Sequence, residues 1–185
     1  MPLWDEQQLV SLSKNGDHNA YRQLVERNMR QAYNLAYRYV GNHDDAEDVA
    51  QDAFVRAYRS LQHFRGDAEF STWLYRIVTN VALNRVKQLQ RTTNHEQPIT
   101  ETAEMTASHD PGALRSFDTS AHLERALHEL PTLQRAVVIL RHLNGLSTKQ
   151  VSNILRCSEG TVKTHLHRGI SKLRTKLKFL EEEQI

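Results

Sequence analysis

Residues 64–87 read FRGDAEFSTWLYRIVTNVALNRVK, a short loop feeding a helix with two unlike faces. Phe70, Trp73, Leu74, Ile77, Val78, Val81, Ala82, Val86 and Leu89 recur at helical spacing and predict one apolar stripe. Tyr75, Arg76, Thr79, Asn80, Asn84 and Lys87 fall on the other side, which carries no acid. Amides, hydroxyls and cations are the groups that read base edges and hold phosphates. The loop Arg65-Gly66-Asp67-Ala68-Glu69 sits between Phe64 and Phe70. A flexible loop beside aromatics can grip an unstacked base. An amphipathic helix with a plain solvated face has the same pattern, so the rest of the chain has to decide.

Working outward, 185 residues allow one domain or two small ones. With 39% hydrophobic and 25% charged residues the composition is that of a soluble globular protein rather than a disordered one. No run of eighteen apolar residues occurs, so no direct membrane insertion is expected. The start, MPLWDEQQLV, lacks the basic and apolar regions of a secretory signal. The single cysteine, Cys157, excludes an internal disulfide, fits a reducing cytosol and is expected as a small buried filler.

The net charge of +2 conceals an asymmetry. Between Pro131 and Leu180 the cations are Arg135, Arg141, Lys149, Arg156, Lys163, Arg168, Lys172, Arg174, Lys176 and Lys178, against one acid, Glu159. Residues 91–130 lean acidic. A basic module beside an acidic spacer points to a polyanion partner.

Helical periodicity dominates, so the chain is expected to be all-α: two small helical domains joined by a flexible linker, the second a four-helix domain. A short helix is predicted near Leu9–Ser13, then a long one from about Asn19 to Val40 with Leu24, Val25, Ala32, Leu35, Ala36 and Tyr39 inside. Gly41-Asn42 breaks it, and a third helix runs from about Asp44 to Leu61 with acids in its first turn. The fourth is the helix quoted above, capped by Ser71 or the residues before it. From Gln90 to about Thr119 the apolar period collapses into Thr, Glu, Ser and Pro, which reads as a linker. The expected division is therefore 1–90, a linker over 91–119, and 120–180.

In the last part, Leu123, Ala126, Leu127 and Leu130 form one helical face. Pro131 opens a helix from Thr132 to Leu143 with Leu133, Ala136, Val137 and Leu140 inside. Asn144-Gly145 stops it. Ser147 with Gln150 offers a capping box for a short helix ending at Leu155, and Ser158 caps a final helix from Glu159 to about Phe179. The stretch 147–172 reads as a helix-turn-helix, in which Val151, Ile154 and Leu155 pack on Val162, Leu166 and Ile170 and Gly160 permits a close approach. Thr161, Lys163, Thr164, His165, His167, Arg168 and Lys172 then face outward, as on a helix that enters the major groove. A helical hairpin that binds protein shares the geometry, but the scarcity of acids favours DNA.

The third helix, DDAEDVAQDAFVRAYRSL, has Ala46, Val49, Ala50, Ala53, Phe54, Ala57 and Leu61 on one side and Asp48, Gln51, Asp52, Val55 and Arg59 on the other. Asp52 and Arg56 are spaced for an i,i+4 pair. This partly acidic patch would repel DNA and suits a basic protein surface. An operator-binding transcriptional regulator would explain residues 121–180 but leaves the acidic helix and the aromatic loop without a role. An enzyme finds no support in the residues: the ten histidines make no H-E-x-x-H or Cys/His cluster, so no metal, catalytic residue or cofactor is expected. His165 and His167, two apart, do not share a helix face.

DDAEDVAQDAFVRAYRSL, then FRGDAEFSTWLYRIVTNVALN, a linker, and LPTLQRAVVILRHLNGLSTKQVSNILRCSEGTVKTHLHRGISKLR follow one another in the order of a bacterial RNA polymerase sigma factor. The chain resembles the extracytoplasmic-function group of the sigma-70 family over nearly its whole length. The resemblance implies a sigma domain 2 over 1–90 and a sigma domain 4 over 120–180. It implies that Asp48, Gln51, Asp52 and Val55 dock on the clamp helices of the polymerase largest subunit. It implies that Phe64, Arg65, Phe70, Arg76, Asn80 and Asn84 melt and read the promoter −10 element, with a non-template base flipped under the loop. Thr161, Lys163, Thr164, His167, Arg168 and Lys172 would read or grip the −35 element. The basic tail Lys172–Lys178 would touch phosphates or the flap of the second-largest subunit. Further implied are a cytoplasmic location and an anti-sigma factor, which in a membrane-bound form would hold the chain at the inner membrane. His165 and His167 depart from the arginine or aromatic residues common in relatives, which bears on the −35 sequence read here.

Overall fold

The computed structural model of the protein describes residues 4–95 and 114–182, and every element among them is helical. They fall into two units, one ending at Val86 and the other beginning at Lys87.

In the first unit, α1 (Glu6–Lys14) begins earlier than its apolar residues suggest, because Asp5 and Gln8 form a capping box. The Gln8 N–H donates to Asp5 at 2.7 Å and the Asp5 N–H to Gln8 at 3.0 Å. Leu9, Val10 and Ser13 are its buried side. Asp17 caps α2 (His18–Val40), which ends at Gly41 with φ 85°, a left-handed turn that glycine adopts without steric cost. Asn42 caps α3 (His43–Ser60), and a single 3-10 turn, Leu61–His63, follows it. Along α2, Leu24, Ala32, Leu35, Ala36 and Tyr39 are buried as their spacing predicts, while Val25 is only half-buried. Asn28 takes a place in the core, its amide donating to the Leu24 carbonyl at 2.9 Å, which removes the cost of an unpaired buried donor.

α4 (Phe70–His95) carries the quoted stripe: Phe70, Leu74, Val78, Val81, Ala82 and Val86 are buried. The helix continues to His95, past the expected domain edge at 90. Residues 96–113, the centre of the expected linker, lie outside the described residues.

The second unit holds α5 (Leu114–His128), which starts upstream of the expected edge at 120, α6 (Thr132–Val138), α7 (Thr148–Leu155) and α8 (Glu159–Glu182). The expected helix from Thr132 to Leu143 changes register at Ile139 into one π turn, Ile139–Leu143, with the Asn144 N–H reaching the Ile139 carbonyl at 3.0 Å. Residues 134–140 are all buried, so this segment has no solvated side to give it a period. Leu133, expected inside, is 36% exposed. The cause lies on α8. A Cβ at Gly169 would stand 2.8 Å from Val138 Cγ2 and 3.5 Å from the Gln134 carbonyl oxygen, so α8 packs directly on the 134/138 side of α6 and turns Leu133 out. Gly160, expected to permit the close approach, is exposed and would meet nothing nearer than Ser158 Oγ at 3.7 Å.

Candidate nucleic-acid interfaces

Three exposed ridges carry the polar residues of interest, two in the first unit and one in the second. On α3, Asp48, Gln51 and Val55 are exposed and Asp52 half-exposed, along i, i+3, i+4 and i+7. Arg56 holds Asp52 through two bonds, Nη2 to Oδ2 at 2.8 Å and Nε to Oδ1 at 3.1 Å, so the expected i,i+4 pair is present. Val55 is 47% exposed, and Tyr58, three residues on, continues the apolar end of the ridge. Tyr58 packs on Tyr21, ring centroids 4.8 Å apart, and its hydroxyl lies 3.2 Å from His18 Nδ1. The i+3 step from Val55 was the available signal for Tyr58.

On α4, Arg76, Asn80 and Asn84 are exposed at successive i+4 steps and Lys87 follows. Tyr75 and Thr79 do not belong to this ridge. Thr79 is fully buried, and the Tyr75 hydroxyl donates to Gln31 of α2 at 3.0 Å, so that side of the helix faces α2. The two ridges are braced by Asp45 of α3, which accepts from Arg85 Nε of α4 at 2.6 Å. Asn42 also donates to Asp45, at 2.7 Å. The Asn42 amide, and then the Arg85 guanidinium, hold the Asp45 carboxyl below the usual carboxylate range against the opposing effect of burial. Arg85 had no signal in the sequence, since its partner lies 40 residues away.

Ahead of α4, residues 65–69 form an exposed loop in which Gly66 has φ +77°. Its flanking aromatics are not at the surface. Phe64 is 8% exposed and Phe70 1%; they pack edge to face at 6.1 Å, with Trp73 tilted against both. They are buried at the two ends of the loop, while Arg65 between them is exposed. Burial on the core side consumes the ring faces that a base would otherwise stack on. The ends of the loop are tied to α1. The Glu6 carboxylate accepts the Phe70 N–H at 2.8 Å, and Lys14 Nζ donates to the Phe64 carbonyl at 2.5 Å. Glu6, rather than Ser71, thus satisfies a donor at the start of α4.

In the second unit, α7, the turn 156–158 and α8 make the helix-turn-helix. Ser147 and Gln150 form the expected capping box, and Ser158 accepts the Thr161 N–H at 3.0 Å. Arg156 closes α7 in the left-handed region at φ 52°. Val151, Ile154, Val162, Gly169 and Leu173 are buried; Leu155, Leu166, Ile170 and His165 are half-buried. Lys163, Thr164, His167, Arg168 and Lys172 are exposed on α8. Two hydroxyls of the expected set are used within the helix. Thr161 Oγ1 bonds Ser158 Oγ at 2.9 Å, and Thr164 Oγ1 donates to the Gly160 carbonyl at 3.0 Å. Lys163, His167, Arg168 and Lys172 are the members of that set left exposed without such a bond. Arg135 is withdrawn from the basic surface: it is 5% exposed and its Nη1 lies 2.7 Å from His128 Nδ1. Burial, helped by Arg135, pushes the His128 imidazole down to about 4. Burial raises the Cys157 thiol, which is half-buried as a packing residue.

Among the described residues no three His, Cys, Asp or Glu side chains gather as a metal site, and no helix is long and apolar enough to cross a membrane.

Sigma-70 region 2 matches residues 24–92, and Sigma-70 region 4 matches 121–173. The chain is 34% identical to the ECF RNA polymerase sigma factor SigW of Bacillus subtilis, over 90% of this chain and 94% of that one. It is 36% identical to the ECF RNA polymerase sigma-E factor of Haemophilus influenzae, over 95% and 96% of the two chains. Its fold is similar to that of the sigma factor RpoE of Bartonella quintana, solved with the anti-sigma factor NepR: TM-score 0.68, 24% identity, 85% of this chain and 96% of that one. It is also similar to CnrH, solved with the cytosolic domain of CnrY: TM-score 0.66, 26% identity, 94% and 97% covered. These ridges therefore stand on a member of the extracytoplasmic-function RNA polymerase sigma factors of the sigma-70 family, a subunit that directs transcription initiation to promoters rather than a free-standing regulator.

Proposed function

We propose that the three ridges divide the work of initiation. The α3 ridge of Asp48, Gln51, Asp52 and Val55 docks on the clamp helices of the polymerase largest subunit. The α4 ridge of Arg76, Asn80 and Asn84, with Arg65 and the loop between Phe64 and Phe70, captures and reads the −10 element. The α8 ridge reads the −35 element through Lys163, His167 and Arg168, with Thr161, Thr164 and Lys172 supporting contacts to the backbone. The tail Lys172–Lys178 meets phosphates or the polymerase flap. Residues 1–90 and 120–180 act as domains 2 and 4, joined by 91–119.

The observation that carries this reading is the separation of chemistry within the first unit. Acids and an exposed valine occupy the outer side of α3, whereas α4 presents amides and cations without an acid along 76, 80, 84 and 87. The first is repelled by DNA and fits a basic protein surface. The second fits bases and phosphates. The polymerase performs the chemistry, and this chain positions it. A protein regulator that covers these ridges is the second partner, as CnrH is found with the cytosolic domain of CnrY. The site of action is the cytoplasm, with the inner membrane as the place of storage where that regulator is membrane-bound.

The test is co-purification of the full chain with core polymerase. Gln51→Ala with Asp52→Ala is expected to weaken the complex by about 2 kcal/mol or more while leaving the helical content intact. Wild-type affinity in the double variant would remove the α3 ridge from the docking surface.

A further inference from the structure

We propose that α1 is a positioning element for promoter opening, with Glu6 and Lys14 setting the span of the 65–69 loop. The inference rests on the reading of that loop and α4 as the −10 site. Glu6 and Lys14 lie upstream of the segment 24–92 that matches region 2.

Both ends of the loop are fastened to one short helix. At the far end, the Phe70 N–H donates to Glu6 at 2.8 Å, a bond spanning 64 residues of sequence. That N–H belongs to the first turn of α4, where donors have no partner in the helix, and a carboxylate also complements the positive end of the helix. At the near end, Lys14 Nζ donates to the Phe64 carbonyl at 2.5 Å and lies 5.9 Å from the Phe64 ring centroid. Gln62 Nε2 returns a bond to the Lys14 carbonyl at 2.6 Å. α1 is itself fixed, by its capping box and by the burial of Leu9, Val10 and Ser13.

Glu6 and Lys14 are eight residues apart on α1, an axial rise of about 12 Å. The segment from Phe64 to Phe70 could extend to about 20 Å. The loop is therefore slack between its anchors, and the α1 tethers, together with the packing of Phe64 on Phe70, fix how far apart its ends stand. With its ends held, the loop samples fewer conformations before an extruded base arrives, so less conformational entropy is lost on capture. On duplex DNA, capture competes with restacking of the base. On a premelted template that competition is gone.

The experiment uses the full chain assembled with core polymerase. Open-complex formation is measured on one promoter as duplex and as the same sequence with a mismatched −10 bubble, alongside core affinity. Glu6→Ala and Lys14→Met are each expected to slow opening of the duplex by about fivefold, the effect of losing one helix-capping interaction. Opening of the bubble and core affinity should stay near wild type. Lys14→Arg, which keeps a cationic donor, should restore duplex opening, and Glu6→Gln, which keeps an acceptor at the Phe70 amide, should fall between. Equal losses on duplex and bubble would assign α1 a merely structural role and overturn the inference. So would wild-type opening by both Glu6→Ala and Lys14→Met. Asn80→Ala, run in parallel, separates the two levels. If it changes −10 preference while the α1 variants open normally, the −10 site stands and the positioning role falls. If it changes neither preference nor opening, the −10 site itself falls and the positioning role with it.

Discussion

Arg85 reaches from α4 to Asp45 near the start of α3, its Nε donating to the carboxylate at 2.6 Å. The bond joins the helix of the proposed docking ridge to the helix of the proposed −10 ridge. Asp45 is buried whereas the Arg85 side chain is 40% exposed, so the loss of the pair falls mainly on the Asp45 side. Asp45→Ala is expected to destabilise the first unit by about 1–2 kcal/mol, less than a fully buried pair would lose because water reaches the guanidinium. The folded carboxyl is held below its ordinary range. Its contribution is therefore full above the ordinary carboxylate pKa and is lost as pH falls toward the depressed folded value. Urea unfolding of wild type and Asp45→Ala at several pH values checks this; a gap that stays constant into strong acid would refute the linkage.

His128 gives the second unit its own pH dependence. Its folded value is about 4, against an ordinary 6.5. Between those values the unfolded chain takes up a proton that the folded chain refuses. Stability is thus full above 6.5, declines as pH falls from 6.5, and levels off below about 4. His128→Gln keeps an acceptor for Arg135 and removes the titration. Its unfolding midpoint should vary less over this window than that of wild type.

Gly169 and Gly160 should respond in opposite ways to alanine. At Gly169 the new Cβ would sit 2.8 Å from Val138 Cγ2, so overpacking should cost about 1–3 kcal/mol and weaken −35 binding through the fold. At Gly160 the nearest atom is 3.7 Å away, and alanine should be tolerated or gain up to about 1 kcal/mol of helix propensity. Thermal unfolding of the two variants decides; a tolerated Gly169→Ala would show that α6 and α8 can separate at little cost.

Local chemistry was legible in the sequence and distant chemistry was not. The Ser147–Gln150 box, the Ser158 cap and the Asp52–Arg56 pair depend on residues three or four apart, and all three are present. The apolar period of α4 located its buried stripe, because that helix keeps a solvated side. Periodicity failed where the solvated side disappears: residues 134–140 are buried throughout, and neither the exposure of Leu133 nor the π turn was visible. Thr79 was placed outside by its polarity, although a partner helix covers its side of α4. Phe64 and Phe70 marked the ends of the loop, but as buried residues, since they pack against Trp73. Glu6 with Phe70 and Arg85 with Asp45 are tertiary pairs whose separations of 64 and 40 residues leave no pattern to read.

The central claim is that α4 and α8 read different promoter elements through Asn80 and Arg168, both exposed, the first on an acid-free ridge and the second on a predominantly basic one. Its most direct test is transcription by core polymerase from saturation libraries of the −10 and −35 elements, programmed in turn with wild type, Asn80→Ala and Arg168→Ala. The account predicts that Asn80→Ala flattens preference only within the −10 element and Arg168→Ala only at one −35 position, each by about 1–3 kcal/mol. Unchanged sequence preference in either variant would contradict it, as would a uniform loss across all −35 sequences with a shallower salt dependence for Arg168→Ala, the signature of a phosphate contact.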